Sequence, residues 1–316
     1  TSIQGGTGPD NLGVGGLVGS SERGVINSVV GLGVAVSGNK AVGGLIGYLD
    51  ASDKTVSVSS NTANAIVSGA EQVGGLIGYV DAAASVLSSD VSLVSNTVGG
   101  SVTGTGDNVG GLVGFAYGYG SGSTSSIAVR NNTTNAVVSG QNNVGGLVGF
   151  VQGYGYGGTA SIQISGNTTR GSTQGTGTSV GGLVGHAFAG GFGYYGTYGT
   201  SPNSIDFSNN QTFGQTTGNT RVGGLVGYAH AGQSTGSTSS ISFSGDVAHG
   251  DVQGGSQVGG LIGEVFVEGI NSTATVTVSN AVAHGAVTSR EDEAGGLVGR
   301  PGHNRMSNNR SRSGRE

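Results

Sequence analysis

The chain has no cysteine, no tryptophan, one methionine and three prolines in 316 residues, and only 9 % of it is charged. Without cysteine there can be no disulfide, no thiolate zinc site and no thiol nucleophile. Together with abundant Ser, Thr and Asn, this fits a secreted or surface protein that does without disulfides. No apolar run approaches the roughly 18 residues that a membrane helix needs. A net charge of −5 argues against nucleic acid as the main partner. The patterns HExxH and GxSxG are missing, and no glycine-rich run leads into the lysine and helix of a phosphate cradle. The regular Asp spacing of calcium-binding nonapeptide repeats is missing too. The sequence opens at Thr1 with neither Met nor an apolar leader, which reads as a processed chain or a fragment.

What the chain has in excess is glycine, 69 residues. Much of it sits in one recurring phrase, Val-Gly-Gly-Leu-Val-Gly, first met at Val14 to Gly19, with Ile in place of the second Val in some copies. The Gly-Gly-Leu core begins at Gly15, Gly43, Gly74, Gly110, Gly145, Gly181, Gly223, Gly259 and Gly295, with spacings of 28, 31, 36, 35, 36, 42, 36 and 36 residues. Such a period marks a stacked-repeat architecture. A Gly pair followed by Leu and a β-branched residue makes a poor helix and a good short strand opened by a tight corner.

Between these phrases the same order of events returns. A loop of variable length leads to a strand that alternates apolar with small polar residues, as in Thr55 to Val58, Ile127 to Val129, Ile162 to Ile164, Ile205 to Phe207, Ile241 to Phe243 and Val276 to Val278. An Asn follows, then a short apolar piece such as Ala65 to Val67, then a Gly/Asn/Ser turn. No stretch reads as a helix. About three short strands per unit, repeated in series, predict an all-β, parallel, right-handed β-solenoid of about nine coils, roughly 40 Å long at ~4.8 Å per coil. The chain is then a single repeat domain over 1–316, with an incomplete coil at 1–14, repeats starting at 15, 43, 74, 110, 145, 181, 223 and 259, and an incomplete terminal coil at 295–316. An antiparallel sandwich is the rival, but it does not require the same residue at the same offset in every unit.

Two ladders follow from those offsets. Leu17, Leu45, Leu76, Leu112, Leu147, Leu183, Leu225, Leu261 and Leu297 should form one continuous buried column. If they point in, Val18, Ile46 and Ile77 point out and need cover. Asn61, Asn96, Asn132, Asn167 and Asn210, with Asp246 and Ala281 after them, should stack their side chains at a turn. The competing use of these asparagines is glycosylation, since Asn132, Asn167 and Asn210 begin sequons, as do Asn131, Asn271 and Asn309; Asn271 is the best glycan candidate.

Repeats of the form V-G-G-L-[VI]-G followed by an Asn-bearing strand resemble the GLUG-motif repeats of microbial surface proteins, including large adhesins. The resemblance runs from Val14 to Gly314 and departs from the motif in lacking Ser-Tyr after the Asn. It implies an extracellular, repetitive, β-solenoid segment and no activity.

Catalysis on a parallel β-helix needs acids gathered on one face; here Asp50, Asp53, Asp81, Asp90, Asp107, Asp206, Asp251, Glu264 and Glu268 are scattered. No catalytic residue, cofactor or metal site is assigned. His249 and His284 fall in Ala-His-Gly of consecutive coils and should stack, and His186 and His230 both lie just after Leu-Val-Gly. The loops after Leu-Val-Gly carry seven of the ten tyrosines: Phe115, Tyr117 and Tyr119; Tyr154 and Tyr156; Phe192, Tyr194, Tyr195 and Tyr198. They predict an aromatic flank that either meets glycans or a neighbouring copy, or covers the solenoid's own Val/Ile column. Ice binding would require a regular Thr-x-Thr column, which only Thr275 to Thr277 offers.

Neither end reads as a cap. From Arg300 to Glu316 there are five arginines and one acid, and the first 107 residues hold eight acids and three bases. The first expectation is therefore a non-enzymatic extracellular subunit whose partner is itself, assembling head to tail into a surface filament. Asp10, Leu12 and Glu22 would meet Arg305, Met306, Arg310, Arg312 and Arg315 of the next copy. The second expectation is an adhesin segment, a spacer or a binder of surface glycans. A β-helix carbohydrate-active enzyme is the third.

Overall fold

The structure, a computed structural model, describes residues 1–6, 12–192, 201–232, 237–269 and 273–301, with the side chains of Leu12, Ile26, Phe192 and Ser201 left aside. The chain visits five parallel sheets in fixed order, here numbered I to V. Coil 1 lays down Ser2–Gln4 in sheet I, Leu12–Gly15 in II, Val18–Ser21 in III, Val25–Ile26 in IV and Val29–Val30 in V. Ala35–Ser37 then returns to sheet I, over Ser2–Gln4. Among the described residues sheets I, II and III hold nine strands each, and IV and V hold eight. The fold is an all-β parallel solenoid. Each coil has five strands because corners divide what spacing alone reads as about three.

The sharpest corner is the repeated phrase. Strand II ends on its first glycine and strand III resumes at the Val or Ile after Leu, as in Lys40–Gly43 and Ile46–Asp50. The Leu carbonyl one coil on receives two backbone N–H groups: Leu45 and Ile46 both donate to Leu76, at 2.9 and 3.0 Å. All three glycines are required by close approach. A Cβ on Gly43 would lie 1.9 Å from the Ile46 carbonyl oxygen, and one on Gly44 2.1 Å from that of Gly75. A Cβ on Gly78, the third glycine of the next phrase, would lie 2.4 Å from the backbone of Ala41 and Val42.

Leu45, Leu76, Leu112, Leu147, Leu183, Leu225 and Leu261 are 0–1 % exposed and form a column in the core. Leu17 and Leu297 depart from the expectation of burial, at 55 % and 49 % exposed. A rung is shielded by the rungs on both sides of it, and these two have a described neighbour on one side only. Ile46 and Ile77 also differ from expectation, being fully buried with their counterparts Val113, Val148, Val184, Val226 and Ile262. Leu sits in the bend, so the alternation of a strand does not run through it, and both residues beside the corner face inward.

Two columns of left-handed residues shape each coil. One closes sheet IV: Asn27, Ser60, Ser95, Asn131, Gly166, Asn209, Gly245 and Asn280. The other, Gly13, Ala41, Gln72, Asn108, Asn143, Ser179, Arg221, Gln257 and Glu293, is bulged out of sheet II. In that bulge Lys40 pairs with Glu71 and Val42 with Val73, and the residue between is skipped.

Candidate functional site

Directly after the first left-handed column stands the asparagine ladder, buried throughout: Asn61, Asn96, Asn132, Asn167 and Asn210 are each 0–1 % exposed. Each rung gives its backbone N–H and one side-chain N–H to the Oδ1 of the next rung. Asn61 reaches Asn96 at 3.0 and 3.0 Å, and Asn132 reaches Asn167 at 2.9 and 3.0 Å. The remaining amide proton goes back to the preceding coil, as from Asn96 to the Val58 carbonyl at 2.9 Å. A glycan on Asn132, Asn167 or Asn210 would have to displace these bonds in a closed core. Asn271 and Asn309 lie outside the described residues.

The aromatic stretches are strands, not loops. Val113–Ser121, Val148–Tyr156 and Val184–Phe192 lie side by side in sheet III. Small residues alternate inward; Phe115, Tyr117, Tyr119, Phe150, Tyr154, Tyr156 and His186 are half-buried, and Phe188 is buried. Tyr48, Tyr79, Phe115, Phe150, His186 and Tyr228 occupy one register position in six successive coils, with ring centroids 4.5–5.2 Å apart. Beside them run Tyr117 and the pair Tyr119–Tyr154 at 5.9 Å, with Tyr156 one position further along. Burial, followed by the field of the neighbouring tyrosines, pushes the Tyr117 and Tyr154 phenols up to about 12, so they act as neutral rings with a polar tip. Phe192 ends its strand, and Tyr194, Tyr195 and Tyr198 lie outside the described residues.

Register also joins charges that looked scattered. Asp50 and Asp81 are partners in sheet III, at the same offset from Gly43 and Gly74. Counting that offset in the sequence would have found the pair. Tyr48 donates to Asp81 at 3.1 Å. Burial pushes Asp81 up; in Asp50 the hydrogen bonds from Ser52 and the charge of Lys54 outweigh burial and hold it below its ordinary value. Glu264, 5 % exposed, is held by Arg221 at 2.5 Å and approached by Arg300 at 3.8 Å. Arg221 lies over the Tyr228 ring at 4.1 Å. Nothing in the spacing announces this cluster, because Arg221 arrives through the bulge.

The histidines divide. His249 and His284 stack at 5.2 Å, below Phe213 at 4.4 Å from His249, with Arg170 over Phe213. His186 and His230 do not stack on each other: His186 stands between Phe150 and Tyr228, and His230 between Phe188 and Phe266. Among the described residues no three His, Cys, Asp or Glu side chains converge as a metal site would require.

At the ends, Glu22 is engaged within its own chain by Lys54 of the next coil at 2.8 Å. Leu12 is placed by its backbone opposite Lys40. Asp10, Arg305, Met306, Arg310, Arg312 and Arg315 lie outside the described residues. Among the described residues no helix is long and apolar enough to cross a membrane. In comparison with known proteins, no family model, no curated protein and no solved structure matches the chain.

Proposed function

We propose that this protein is a non-enzymatic structural subunit of the cell exterior, a β-solenoid that joins head to tail into a filament. The observation that carries this reading is one leucine in two states. Leu17 and Leu297, in the first and last described rungs, stand half bare, and their seven counterparts between are 0–1 % exposed. Inside the chain the step from rung to rung is made eight times with the same bond, from Leu17 N–H to the Leu45 carbonyl through to Leu261 N–H and the Leu297 carbonyl. A second copy set in that register places its Leu17 on Leu297 and covers both. The contact is heterologous, so it propagates instead of closing. A cysteine-free, Ser/Thr/Asn-rich composition and the resemblance to GLUG-motif surface repeats support the extracellular setting.

A second reading rests on the outward face of sheet III, where Tyr117, Tyr119, Tyr154 and Tyr156 offer half-exposed rings on adjacent strands. Such a terrace suits the flat faces of sugars, as in the glycan-binding segment of an adhesin. Sedimentation and negative-stain microscopy of the purified chain over a range of concentrations separate the two. The filament reading expects unbranched fibres with an axial repeat of ~43 Å, nine coils at ~4.8 Å each, and discrete folded rods from Leu297→Arg. Discrete rods from the unaltered chain at every concentration would overturn it, and retention on a column of insoluble β-glucan would favour the second reading.

A further inference from the structure

Without cysteine, no coil can be tied to the next by a disulfide. Tyrosine offers another side-chain route to a covalent tie, because one-electron oxidation of two adjacent phenols joins their rings. Tyr119 and Tyr154 meet what that reaction requires. They are register partners on neighbouring strands of sheet III, in coils 4 and 5, so their backbones stand ~4.8 Å apart. Their ring centroids lie 5.9 Å apart, with the planes inclined by 21°. Both side chains are half-buried, held in place and still open to solvent. The strands beneath are packed without slack: a Cβ on Gly120 would lie 2.4 Å from the Thr159 carbonyl oxygen, and one on Gly155 2.6 Å from that of Gly158.

The column that holds the pair reads Ala83, Tyr119, Tyr154 and Gly190, so no third phenol continues it. With only the Ala83 methyl beyond it along the column, the Tyr119 ring has room to turn an edge toward Tyr154. Two other tyrosine contacts are worse placed. Tyr48 and Tyr79 are closer, at 5.2 Å, but Tyr48 gives its hydroxyl to Asp81 at 3.1 Å, and Phe115 stacks on Tyr79 at 5.2 Å. Tyr117 meets Tyr119 at 6.0 Å from two residues away on the same strand, a backbone separation of ~6.6 Å. It is also hemmed in by Phe115 at 6.1 Å and by its register partners Asp81 and Gln152.

We propose that Tyr119 and Tyr154 form an oxidative cross-linking site, where hydrogen peroxide and a haem peroxidase join coil 4 to coil 5 through a dityrosine bond. Each phenol gives up one electron and its hydroxyl proton. The two phenoxyl radicals carry spin on the carbons ortho to oxygen, and a carbon–carbon bond forms between one such carbon of each ring. The two ring hydrogens at that bond pass to the oxygens as both rings regain aromaticity. The peroxide takes up the two electrons and two protons and leaves as two molecules of water. The new bond ties residues 35 apart in sequence and, like a disulfide, restricts the unfolded chain more than the folded one. It needs no second copy and no sugar, so it rests on neither reading of function.

The test treats the whole chain, at high dilution, with hydrogen peroxide and a haem peroxidase, then maps the peptides of the monomer fraction. The expected product is a fluorescent monomer two hydrogens lighter, with Tyr119 joined to Tyr154 in most of its cross-linked peptides. Tyr119→Phe and Tyr154→Phe should each lower the intramolecular yield about tenfold, and Tyr48→Phe and Tyr117→Phe should leave it within about twofold. Phenylalanine keeps each ring contact, and unchanged circular dichroism verifies the fold of the variants. In urea, where register is lost, the preference for this pair should vanish. Another pair equally abundant in the folded monomer, an undiminished yield in Tyr119→Phe, or the same preference in urea would overturn the assignment. So would cross-links between copies alone, or no dityrosine at all while free tyrosine in the same mixture couples. Because the bond is read in monomers and without sugar, its failure is distinct from failure to form fibres or to bind glucan.

Discussion

Asn210 gives its backbone N–H and a side-chain N–H to a single oxygen of Asp246, at 2.9 and 2.8 Å. In the four rungs before it that acceptor is the Oδ1 of another asparagine, whose amide then serves the following rung. Asp246 has no amide to pass on, and Ala281, the next residue in the column, has no acceptor.

Asp246 is fully buried, and burial pushes its pKa up against the pull of the bonds from Asn210 and Ser244. A carboxyl raised above its unfolded value favours the fold when protonated, and that contribution is lost as pH rises through the folded value. Asp246→Asn should therefore gain on the order of 1 kcal/mol at pH 7, and less as pH falls toward the ordinary carboxylate range of about 4. Urea unfolding at the two pH values checks this; an asparagine variant less stable at pH 7 would count against it.

The leucine column predicts a contrast along one chemistry. Leu147→Ala removes a fully buried side chain between two intact rungs and should cost about 2 to 5 kcal/mol. Leu297→Ala, at a site 49 % exposed, should cost under about 1 kcal/mol in the monomer. Equal losses in the two variants would show that burial in the column is not what these leucines contribute.

Glycine offers the same kind of contrast. A Cβ on Gly149 would lie 2.5 Å from the Val109 nitrogen and 2.6 Å from the Gly114 carbonyl oxygen, backbone atoms that cannot swing aside. Gly149→Ala should cost about 3 kcal/mol or more. At Gly31 an added Cβ meets nothing within 4 Å, so Gly31→Ala should be neutral or stabilise by up to ~1 kcal/mol through the unfolded chain. Thermal unfolding of both variants decides; a tolerated Gly149→Ala would sink the close-approach account of the repeated phrase.

These sites also mark what could be read in the sequence. The Gly-Gly-Leu spacing carried the parallel stack, and Asn at one offset carried the ladder, because in-register coils must repeat chemistry at each position. The corner at Leu45 was not legible, since a bend puts Leu45 and Ile46 on the same side where a strand would alternate them. Nor was the bulge: Ala41, Gln72, Arg221 and Gln257 are not residues that favour left-handed backbone, and they hold it because the pairs on either side fix the register. The run from Phe115 to Gly120 did contain its answer. Its period of two is a strand with Tyr117 and Tyr119 outward and Gly118 and Gly120 inward, where a Cβ on Gly120 would lie 2.4 Å from the Thr159 carbonyl oxygen. Glycine and tyrosine together looked like a loop because glycine's use for close packing resembles its use in turns.

The last prediction concerns acid. His186 stacks at 4.5 Å on Phe150 and 4.8 Å on Tyr228, and its Nε2 is buried with no hydrogen-bond partner. Burial, then the positive fields of His230 and Arg221, pushes its pKa down to about 3. His230 is pushed down to about 4 by burial and then Arg221. A histidine held below its unfolded value of about 6.5 is neutral in the fold, while the unfolded chain takes up the proton. The stability it supports is complete above about pH 6.5 and declines steadily as pH falls toward the folded value. At pH 4.5 the loss from His186 alone should be roughly 2 to 3 kcal/mol, at about 1.4 kcal/mol for each pH unit below 6.5. Phenylalanine keeps the ring in the stack and removes the proton site, so His186→Phe should match the native chain at pH 8 and exceed it at pH 4.5. His186→Phe/His230→Phe should flatten the profile further. Asp81 and Asp246, raised by burial and acting in the opposite sense, are present in all three proteins and cancel in the comparison. Thermal midpoints from pH 8 to pH 4.5 provide the check. An acid slope in His186→Phe as steep as in the native chain would mean that the buried imidazole is not the group that responds.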